Sequence, residues 1–162
     1  YPQKAKRVDY EAELAVVIGK ATRHVSEDQA LEYVFGYTCG NDVSERTIQF
    51  AEMEMGAILV GKGFDTFCPL GPYIETNLNT NNLFLTNKIN DVIYQNSNTN
   101  KRILNDSKIV SMISKLITLY PGDIILTGSP ANAENSVIKH GDIVSMEIEG
   151  LGKLTNKIKF ST

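Results

Sequence analysis

The chain has 162 residues, of which 42% are hydrophobic and 22% are charged, and its formal net charge at pH 7 is −3. This length suits one domain with a substantial core and is too short for two. The balanced charge gives no reason to expect a nucleic-acid or membrane-surface partner, and no apolar run approaches the roughly 18 residues of a membrane-spanning helix.

Two acids flank the start of the first predicted strand, Ala12–Ile18. Glu11 and Glu13 stand two positions apart, and side chains at i and i+2 of a strand point to the same face. Two like charges held side by side repel each other unless solvent or a cation separates them. The pattern therefore leaves two possibilities, a solvated face or a bound cation.

The next segment, residues 26–40, is predicted to be helical. Ser26 is a candidate N-cap that acids follow, and apolar residues recur at helical spacing at Ala30, Leu31, Val34 and Phe35. A Gly-Asn turn then leads to Asp42, whose side chain can reach a cleft. Together with Glu11 and Glu13 it makes a set of oxygen ligands that suits Mg²⁺, Mn²⁺ or Ca²⁺ better than zinc. Spacing alone indicates such a site only weakly, since E-x-E is common on exposed strands.

The remaining elements predict a mostly-β or α+β fold with a mixed or antiparallel sheet. A second helix is predicted in residues 106–120, where apolar residues recur at helical spacing and "PGD" follows. The further predicted strands are Gly56–Val60, Tyr73–Glu75, Phe84–Ile89, Val92–Gln95, Asp123–Leu126, Ile143–Ile148 and Leu154–Phe160.

Ten asparagines lie between Asn77 and Asn105. Such a composition on its own is typical of a disordered tract. Within it, however, "LFLTNKINDVIYQ" has the pattern of a strand, an Asn-Asp turn and a second strand. We therefore predict an exposed β-hairpin here.

Five motifs occur in order: "VDYEAELAVVIGK", "GYTCGNDVSERTIQ", "GKGFDTFCPLGPYI", "LYPGDIILTGSP" and "KHGDIVSMEIEGLGKL". Together they resemble the fumarylacetoacetate hydrolase (FAH) family from about residue 8 to residue 159. The resemblance implies that residues 1–162 form a single domain of the type found at the C-terminus of that family. Its fold would be an FAH-type mixed β-roll, a barrel-like sandwich with two or three helices.

The resemblance also assigns roles to individual residues. It implies that Glu11, Glu13 and Asp42 bind Mg²⁺ or Mn²⁺, which would explain how the two neighbouring glutamates tolerate each other. It implies that Lys62 and Gln49 are catalytic residues. Arg46, Lys62, Thr127 and Gly128 would contact the substrate.

Simpler interpretations of three of these residues stay open. Lys62 follows a glycine, and without the motif a solvated strand end would be the preferred interpretation. Arg46 has an alternative role as a brace for Asp42, and Gln49 has one as a helix cap. A second E-x-E pair, Glu147 and Glu149, is expected on a solvated face rather than in a second metal site.

The implied function is a metal-dependent enzyme acting on a small 2-oxo or enol acid, with hydrolysis of a carbon–carbon bond in an acylpyruvate as the first expectation. The alternatives are an isomerase, tautomerase, decarboxylase or hydratase of related acids, such as 2-hydroxyhepta-2,4-diene-1,7-dioate or oxaloacetate. A metal-binding relic of the fold without activity is a third possibility.

Three departures from the family pattern bear on the choice of reaction. Hydrolytic members use a His-Glu pair on an N-terminal lid segment as a general base, and "YPQKAKRVDY" contains no His-x-x-Glu. We therefore expect the lid segment to be missing from this chain. Position 45 is Glu where the family usually has Ala, which would add a negative charge beside Asp42. The glycine-rich continuation of the T-G-[ST]-P turn is replaced by "ANAENSV".

The family resemblance and the composition also predict the partners and the compartment of the protein. We expect a homodimer, a small 2-oxo acid as substrate, and no nucleic-acid or membrane partner. Only two cysteines are present, which provides no disulfide framework and favours a reducing, cytoplasmic compartment. Because the sequence starts at Tyr1 without a methionine, organellar targeting stays open.

Overall fold

The computed structural model describes residues 1–131 and 136–160, which form an α+β fold of three antiparallel sheets and two α-helices. A small sheet contains β1 (Val8–Asp9), β4 (Ser44–Glu45) and β9 (Val137–Ile138). A second sheet contains β2 (Ala12–Ile18), β3 (Val34–Asn41), β5 (Leu70–Glu75) and β8 (Ile124–Leu126), in the order β5-β3-β2-β8. The third contains β6 (Phe84–Ile89), β7 (Val92–Asn98), β10 (Ile143–Ile148) and β11 (Gly152–Lys157), in the order β11-β10-β6-β7.

Strand β2 is the buried centre of the second sheet. All seven of its residues are buried, and it pairs with β3 on one side and β8 on the other. A strand covered on both faces has an almost continuous apolar sequence, as "AELAVVI" does apart from its glutamate. The pairing with β3 runs from Ala12 opposite Asn41 to Ile18 opposite Val34, and this pairing sets the geometry of the site described below.

The third sheet contributes one alternating apolar face to the same core. On β10, Val144, Met146 and Ile148 are buried, and the residues between them lie on the opposite face. Val144 lies opposite Ile89 of β6, and Ile148 lies opposite Leu85. These side chains belong to one hydrophobic cluster with those of β2, so the two larger sheets share a single core.

The asparagine-rich segment forms the predicted hairpin. Strands β6 and β7 pair antiparallel, and Asn90 and Asp91 connect them with φ values of +50° and +67°. Positive φ at both turn positions is characteristic of the tight turn that suits the twist of a hairpin, and Asn and Asp tolerate this backbone conformation. Local turn chemistry therefore outweighed the polar composition.

The helix predicted in residues 26–40 is wrong. A single 3₁₀ turn, Ala30–Tyr33, is followed directly by β3. Strand β3 is rich in aromatic and β-branched residues, which favour strands, and it pairs with β2 along its length. Gly36 allows close approach of the neighbouring strand, because a Cβ there would lie 2.5 Å from the Glu75 carbonyl oxygen.

The strand predicted at Gly56–Val60 is also wrong, and a helix was missed just before it. Helix α1 (Arg46–Glu54) begins after Glu45, whose side chain accepts a hydrogen bond from the Ile48 N–H. Residues 57–61 form a loop, and the amides of residues 59–61 bind a side chain of α1 instead of a neighbouring strand. An apolar run without a strand partner cannot satisfy its backbone as a strand.

The remaining elements differ from the prediction at their ends. Helix α2 (Asp106–Leu116) begins at the predicted residue, where Asn105 caps it, but ends four residues before Tyr120, because Leu119 pairs with Thr22 in an isolated bridge. Strand β11 begins two residues earlier than predicted and ends at Lys157 rather than Phe160. Among the described residues, no helix is long and apolar enough to span a bilayer.

Candidate active site

The junction of β2 and β3 brings the three predicted acids together. The Asp42 N–H donates to the Glu11 carbonyl at 2.9 Å, and the Glu11 N–H donates to the side-chain oxygen of Asn41 at 3.1 Å. This antiparallel pairing sets Asp42 beside Glu11, while Glu13 lies on the same face of β2 two residues further on. One carboxylate oxygen from each of the three residues lies within 4.8 Å of the others.

The donor set fits a hard divalent cation. All three groups offer carboxylate oxygens, which is the ligand type preferred by Mg²⁺ and Mn²⁺. Glu13 is only 4% exposed, whereas Glu11 and Asp42 are partly exposed. The cluster is therefore closed on the side of Glu13 and open to solvent on the side of the other two. The assignment of these residues as metal ligands stays a prediction.

Lys62 is not a solvated strand end. Its Nζ donates to Glu11 Oε2 at 3.1 Å, to Ser44 Oγ at 2.9 Å and to Asp42 Oδ2. Burial by itself would lower the pKa of Lys62, but the hydrogen bond to Asp42 and the charges of Glu11 and Asp42 outweigh it and raise the pKa above its ordinary value. The ammonium group is therefore charged at neutral pH and lies directly beside two of the three acids.

Glu13 has a different environment from the other two acids. Burial, together with the charges of Asp42 and Glu11, raises its pKa from 4.5 to about 7, although the Gly128 N–H hydrogen bond and the Lys62 charge act in the opposite direction. The Gly128 N–H donates to Glu13 Oε2 at 2.5 Å. One of the three acids thus holds a proton near neutral pH in the absence of a cation.

Arg46 is braced by two acids, but these are Asp9 and Glu11 rather than Asp42. Its Nε donates to Asp9 at 2.8 Å and its Nη2 donates to Glu11 at 2.6 Å. Its Nη1 donates to Gln49 Oε1 at 2.6 Å. A role for Arg46 in substrate binding stays a prediction, and in this structure all three of its nitrogens already have partners in the protein.

Gln49 lies in the middle of α1 and is 6% exposed, so the alternative interpretation as a helix cap is wrong. Its oxygen accepts from Arg46, and within the described residues its amide nitrogen has no hydrogen-bond partner. That nitrogen therefore keeps unused hydrogen-bond donors. Its predicted catalytic role is compatible with this geometry and stays a prediction.

Thr127 and Gly128 direct their donors into the protein. The N–H and the hydroxyl group of Thr127 both donate to the Leu14 carbonyl, at 3.1 Å and 2.9 Å, and the Gly128 N–H binds Glu13. These bonds fasten the turn that follows β8 to β2. The predicted contact of both residues with substrate stays a prediction.

Sequence reasoning missed two residues of the site. Asp9 is fully buried and holds both Arg7 and Arg46 through its carboxylate. Ser44 is likewise buried and accepts from Lys62. A buried acid and a buried hydroxyl group need partners, so an acid inside the apolar start of "VDY" was an available signal for Asp9.

Glu45 does not direct its charge toward Asp42. Its carboxylate accepts backbone N–H groups from Lys6 at 3.0 Å, Arg7 at 3.3 Å and Ile48 at 2.6 Å. Burial opposes ionisation, yet these hydrogen bonds outweigh it and lower the pKa of Glu45. The residue therefore caps α1 and fastens the chain before β1.

Other polar features lie away from the acids. Glu147 and Glu149 are exposed, which fits the solvated face predicted for them, and the described residues contain no second acidic cluster of metal-binding size. His24 and His140 are exposed as well. Of the segment 131–137, which replaces the family's glycine-rich continuation, residues 132–135 lie outside the described part of the chain.

Comparisons with known proteins agree with this fold. The family model for the fumarylacetoacetate (FAA) hydrolase C-terminal domain matches residues 1–159. The oxaloacetate tautomerase Fahd2a of Rattus norvegicus, a mitochondrial protein, is 41% identical over 97% of this chain and 52% of its own length.

Two crystal structures resemble the whole described chain. The 5-carboxymethyl-2-hydroxymuconate delta-isomerase of Mycobacterium smegmatis has a TM-score of 0.91 and 40% identity, covering 99% of this chain and 62% of the isomerase. The fumarylpyruvate hydrolase of Pseudomonas aeruginosa, in complex with Mn²⁺ and pyruvate, has a TM-score of 0.92 and 30% identity, covering 99% of this chain and 70% of the hydrolase. The chain thus spans 52% of the rat tautomerase and 62% of the mycobacterial isomerase.

Proposed function

This chain belongs to the fumarylacetoacetate hydrolase family, and from that membership and the geometry of the acidic site we propose that it is a divalent-metal-dependent enzyme that interconverts enol and keto forms of a small 2-oxo acid. The observation that carries the proposal is the position of Lys62. Its ammonium group lies beside Glu11 and Asp42, within the cluster of three carboxylates, where an anionic oxygen would need stabilisation.

Glu11, Glu13 and Asp42 are proposed to hold Mg²⁺ or Mn²⁺. The all-carboxylate donor set and the Mn²⁺ in the similar fumarylpyruvate hydrolase structure support this choice of ion. A divalent ion at this position supplies Lewis-acid stabilisation of negative charge on the substrate's oxygens. Three carboxylates and one divalent cation leave a net negative charge, so further cations are needed to attract an anionic substrate.

Lys62 and Arg46 provide that positive charge, and they do so differently. Lys62 is a point charge, with three N–H donors that can transfer from the acids to a substrate oxygen. Arg46 is fixed by Asp9 and Glu11, and its bond to the oxygen of Gln49 orients that amide. The Gln49 nitrogen is then the second donor available to the enol oxygen, which is the catalytic role we propose for it.

Thr127 and Gly128 are proposed to bind substrate through the turn that they form rather than through the donors they already use. The turn is fixed to β2 by Thr127, and Gly128 sets the orientation of Glu13. The turn thereby limits how far a substrate can extend from the three acids.

Carbon–carbon hydrolysis of an acylpyruvate is the second candidate function, since the similar hydrolase from Pseudomonas aeruginosa performs a reaction of that class by name. Hydrolysis needs a general base to activate water. Within the described residues both histidines are exposed and neither contacts the acids, so a histidine base would have to come from elsewhere. Enol–keto interconversion moves a proton between the enol oxygen and the neighbouring carbon and needs no nucleophilic water. The name of the similar rat protein, an oxaloacetate tautomerase, favours this reaction.

The test is a screen of oxaloacetate, 2-hydroxy-dienoates and acylpyruvates with added Mg²⁺ or Mn²⁺. Loss of the ultraviolet enol band is followed alongside pyruvate, which is measured with a coupled lactate dehydrogenase assay. Faster loss of the enol band than in the enzyme-free control, without pyruvate release, supports the proposal. Pyruvate release indicates cleavage or decarboxylation, and metal binding without any turnover indicates a relic of the fold.

We also propose that the protein is a homodimer. Six large apolar side chains of α1 and the following loop are between 49% and 76% exposed, and they form a surface of the kind that marks a protein interface. These residues are Phe50, Met53, Met55, Ile58, Leu59 and Val60. Light scattering at micromolar concentration is expected to give twice the mass of the chain, and a monomer mass would contradict this proposal.

A further inference from the structure

The face that α1 turns toward the protein is polar. Arg46, Gln49 and Glu52 stand three residues apart and therefore share one side of the helix. Gln49 and Glu52 are the buried residues of this helix, whereas Phe50 and Met53 are exposed. An amphipathic helix normally buries its apolar side. This helix instead packs through the side chains that surround the acidic site.

Glu52, at the far end of that face, binds three consecutive backbone amides. Its Oε2 accepts from the N–H groups of Leu59 at 3.1 Å and Gly61 at 3.0 Å, and its Oε1 accepts from that of Val60 at 2.7 Å. The hydrogen bonds from Gly61 and Leu59 lower the pKa of Glu52, so the group is a carboxylate at neutral pH. A single side chain therefore satisfies three consecutive N–H groups of the loop that precedes Lys62.

The loop is held against α1 immediately before Lys62. The Glu45 N–H donates to the Gly61 carbonyl at 2.8 Å. A Cβ on Gly61 would lie 2.8 Å from the backbone nitrogen of Gln49, so only glycine allows this approach. The Lys62 side chain leaves the backbone from this fixed point and reaches Glu11, Asp42 and Ser44.

We propose that Glu52 is the positioning residue for Lys62. Its carboxylate fixes the backbone of residues 59–61 and thereby sets where the Lys62 ammonium group lies relative to Glu11 and Asp42. Without this anchor the three amides turn to water, and Lys62 samples positions away from the acids. When the backbone at the base of a long, flexible side chain is not fixed, the side chain has more conformations in the free protein. Substrate binding must then remove this extra conformational entropy, which makes binding less favourable.

The anchor is tested directly by hydrogen–deuterium exchange on the metal-free chain. The comparison is between Glu52→Gln, which places an N–H donor among the amides, and Glu54→Gln, which removes the same charge from an exposed position of the same helix. The amides of residues 59–61 are expected to exchange at least tenfold faster in Glu52→Gln and unchanged in Glu54→Gln. Equal exchange in the wild type and both variants would overturn the proposal. If circular dichroism shows that Glu52→Gln is unfolded, Glu52→Asp takes its place.

The effect on Lys62 is tested with a double-mutant cycle, and this arm rests on the proposed function. Glu52→Gln is expected to lower kcat/KM at least tenfold, mainly through kcat, but less than twofold in a Lys62→Met background. Effects that multiply in the double variant would show that Glu52 acts independently of Lys62 and would overturn the proposal.

A wild-type chain without turnover would contradict the proposed function alone. In that case the exchange experiment tests whether Glu52 anchors residues 59–61. The same double-mutant cycle, with the Mn²⁺ dissociation constant measured in place of kcat/KM, tests whether this anchor acts through Lys62. Glu52→Gln is expected to change that constant at least threefold only where Lys62 is present.

Discussion

The raised pKa of Glu13 makes a quantitative prediction about the metal-free protein. The pKa of this group is about 7 in the folded chain, against an ordinary value of 4.5, because the side chain is buried beside two other acids. Between these two pH values the native state holds a proton that the unfolded state has released. The contribution of Glu13 to the free energy of unfolding is therefore highest below about pH 4.5, and it falls as pH rises to about 7.

The size of this fall in unfolding free energy follows from the difference between the two pKa values. Each pH unit between them corresponds to about 1.4 kcal/mol, so the group lowers the free energy of unfolding by about 3 kcal/mol across this range. The Glu13→Gln variant keeps an oxygen that accepts from Gly128 and cannot ionise. Its stability should therefore lack this fall with pH.

The assay is urea unfolding of the metal-free wild type, Glu13→Gln and Glu147→Gln at several pH values from 4.5 to 8. Glu147 is an exposed carboxylate on β10, so its variant controls for the loss of a charge. The difference in unfolding free energy between the wild type and Glu13→Gln should grow by about 3 kcal/mol in favour of the variant as pH rises. Parallel curves for these two proteins would refute the explanation.

The same proton must leave when a cation binds, because a ligand carboxylate is ionised. Calorimetry of Mn²⁺ binding in buffers of different ionisation enthalpy should show release of about 0.9 proton from Glu13 at pH 6 and about 0.1 at pH 8. Glu13→Gln should bind Mn²⁺ much more weakly. Unchanged affinity in this variant would contradict the role of Glu13 as a ligand.

The remaining predictions concern single side chains. Lys62→Met should lower kcat/KM by about 100-fold or more while Tm changes little, since one oxyanion contact is worth about that much, and a change below threefold in steady-state rates would contradict its role. Gln95→Leu should lower the free energy of unfolding by about 2 kcal/mol in urea titrations, because the buried Gln95 amide binds the Pro130 and Ala131 carbonyls and Asn87. Glu45→Ala should cost about 1–2 kcal/mol in the same titrations, because it removes the cap of α1, and an unchanged midpoint would contradict that explanation.

The local sequence pattern predicted well the strands that are paired on both sides and the turn that joins two consecutive strands. Strands β2, β6 and β10 have the predicted ends, and the Asn90–Asp91 turn forms as expected. Prediction failed at β3, where the apolar spacing of Val34 and Phe35 suits a helix as well as a strand. Long-range pairing with β2 decided between the two, and the sequence of the segment alone does not contain that information.

By itself, the sequence determined the family, the α+β class and the identity of the three acids, because ordered motifs and strand periodicity are properties of the chain in one dimension. The tertiary structure alone decided what surrounds those acids. The Lys62 ammonium, 20 residues from Asp42, lies beside that carboxylate, and Asp9, Arg46 and Gln49 form one hydrogen-bonded chain. It also decided that Glu52 binds the loop before Lys62. Such contacts depend on how strands and helices pack, and packing is fixed by the whole chain at once.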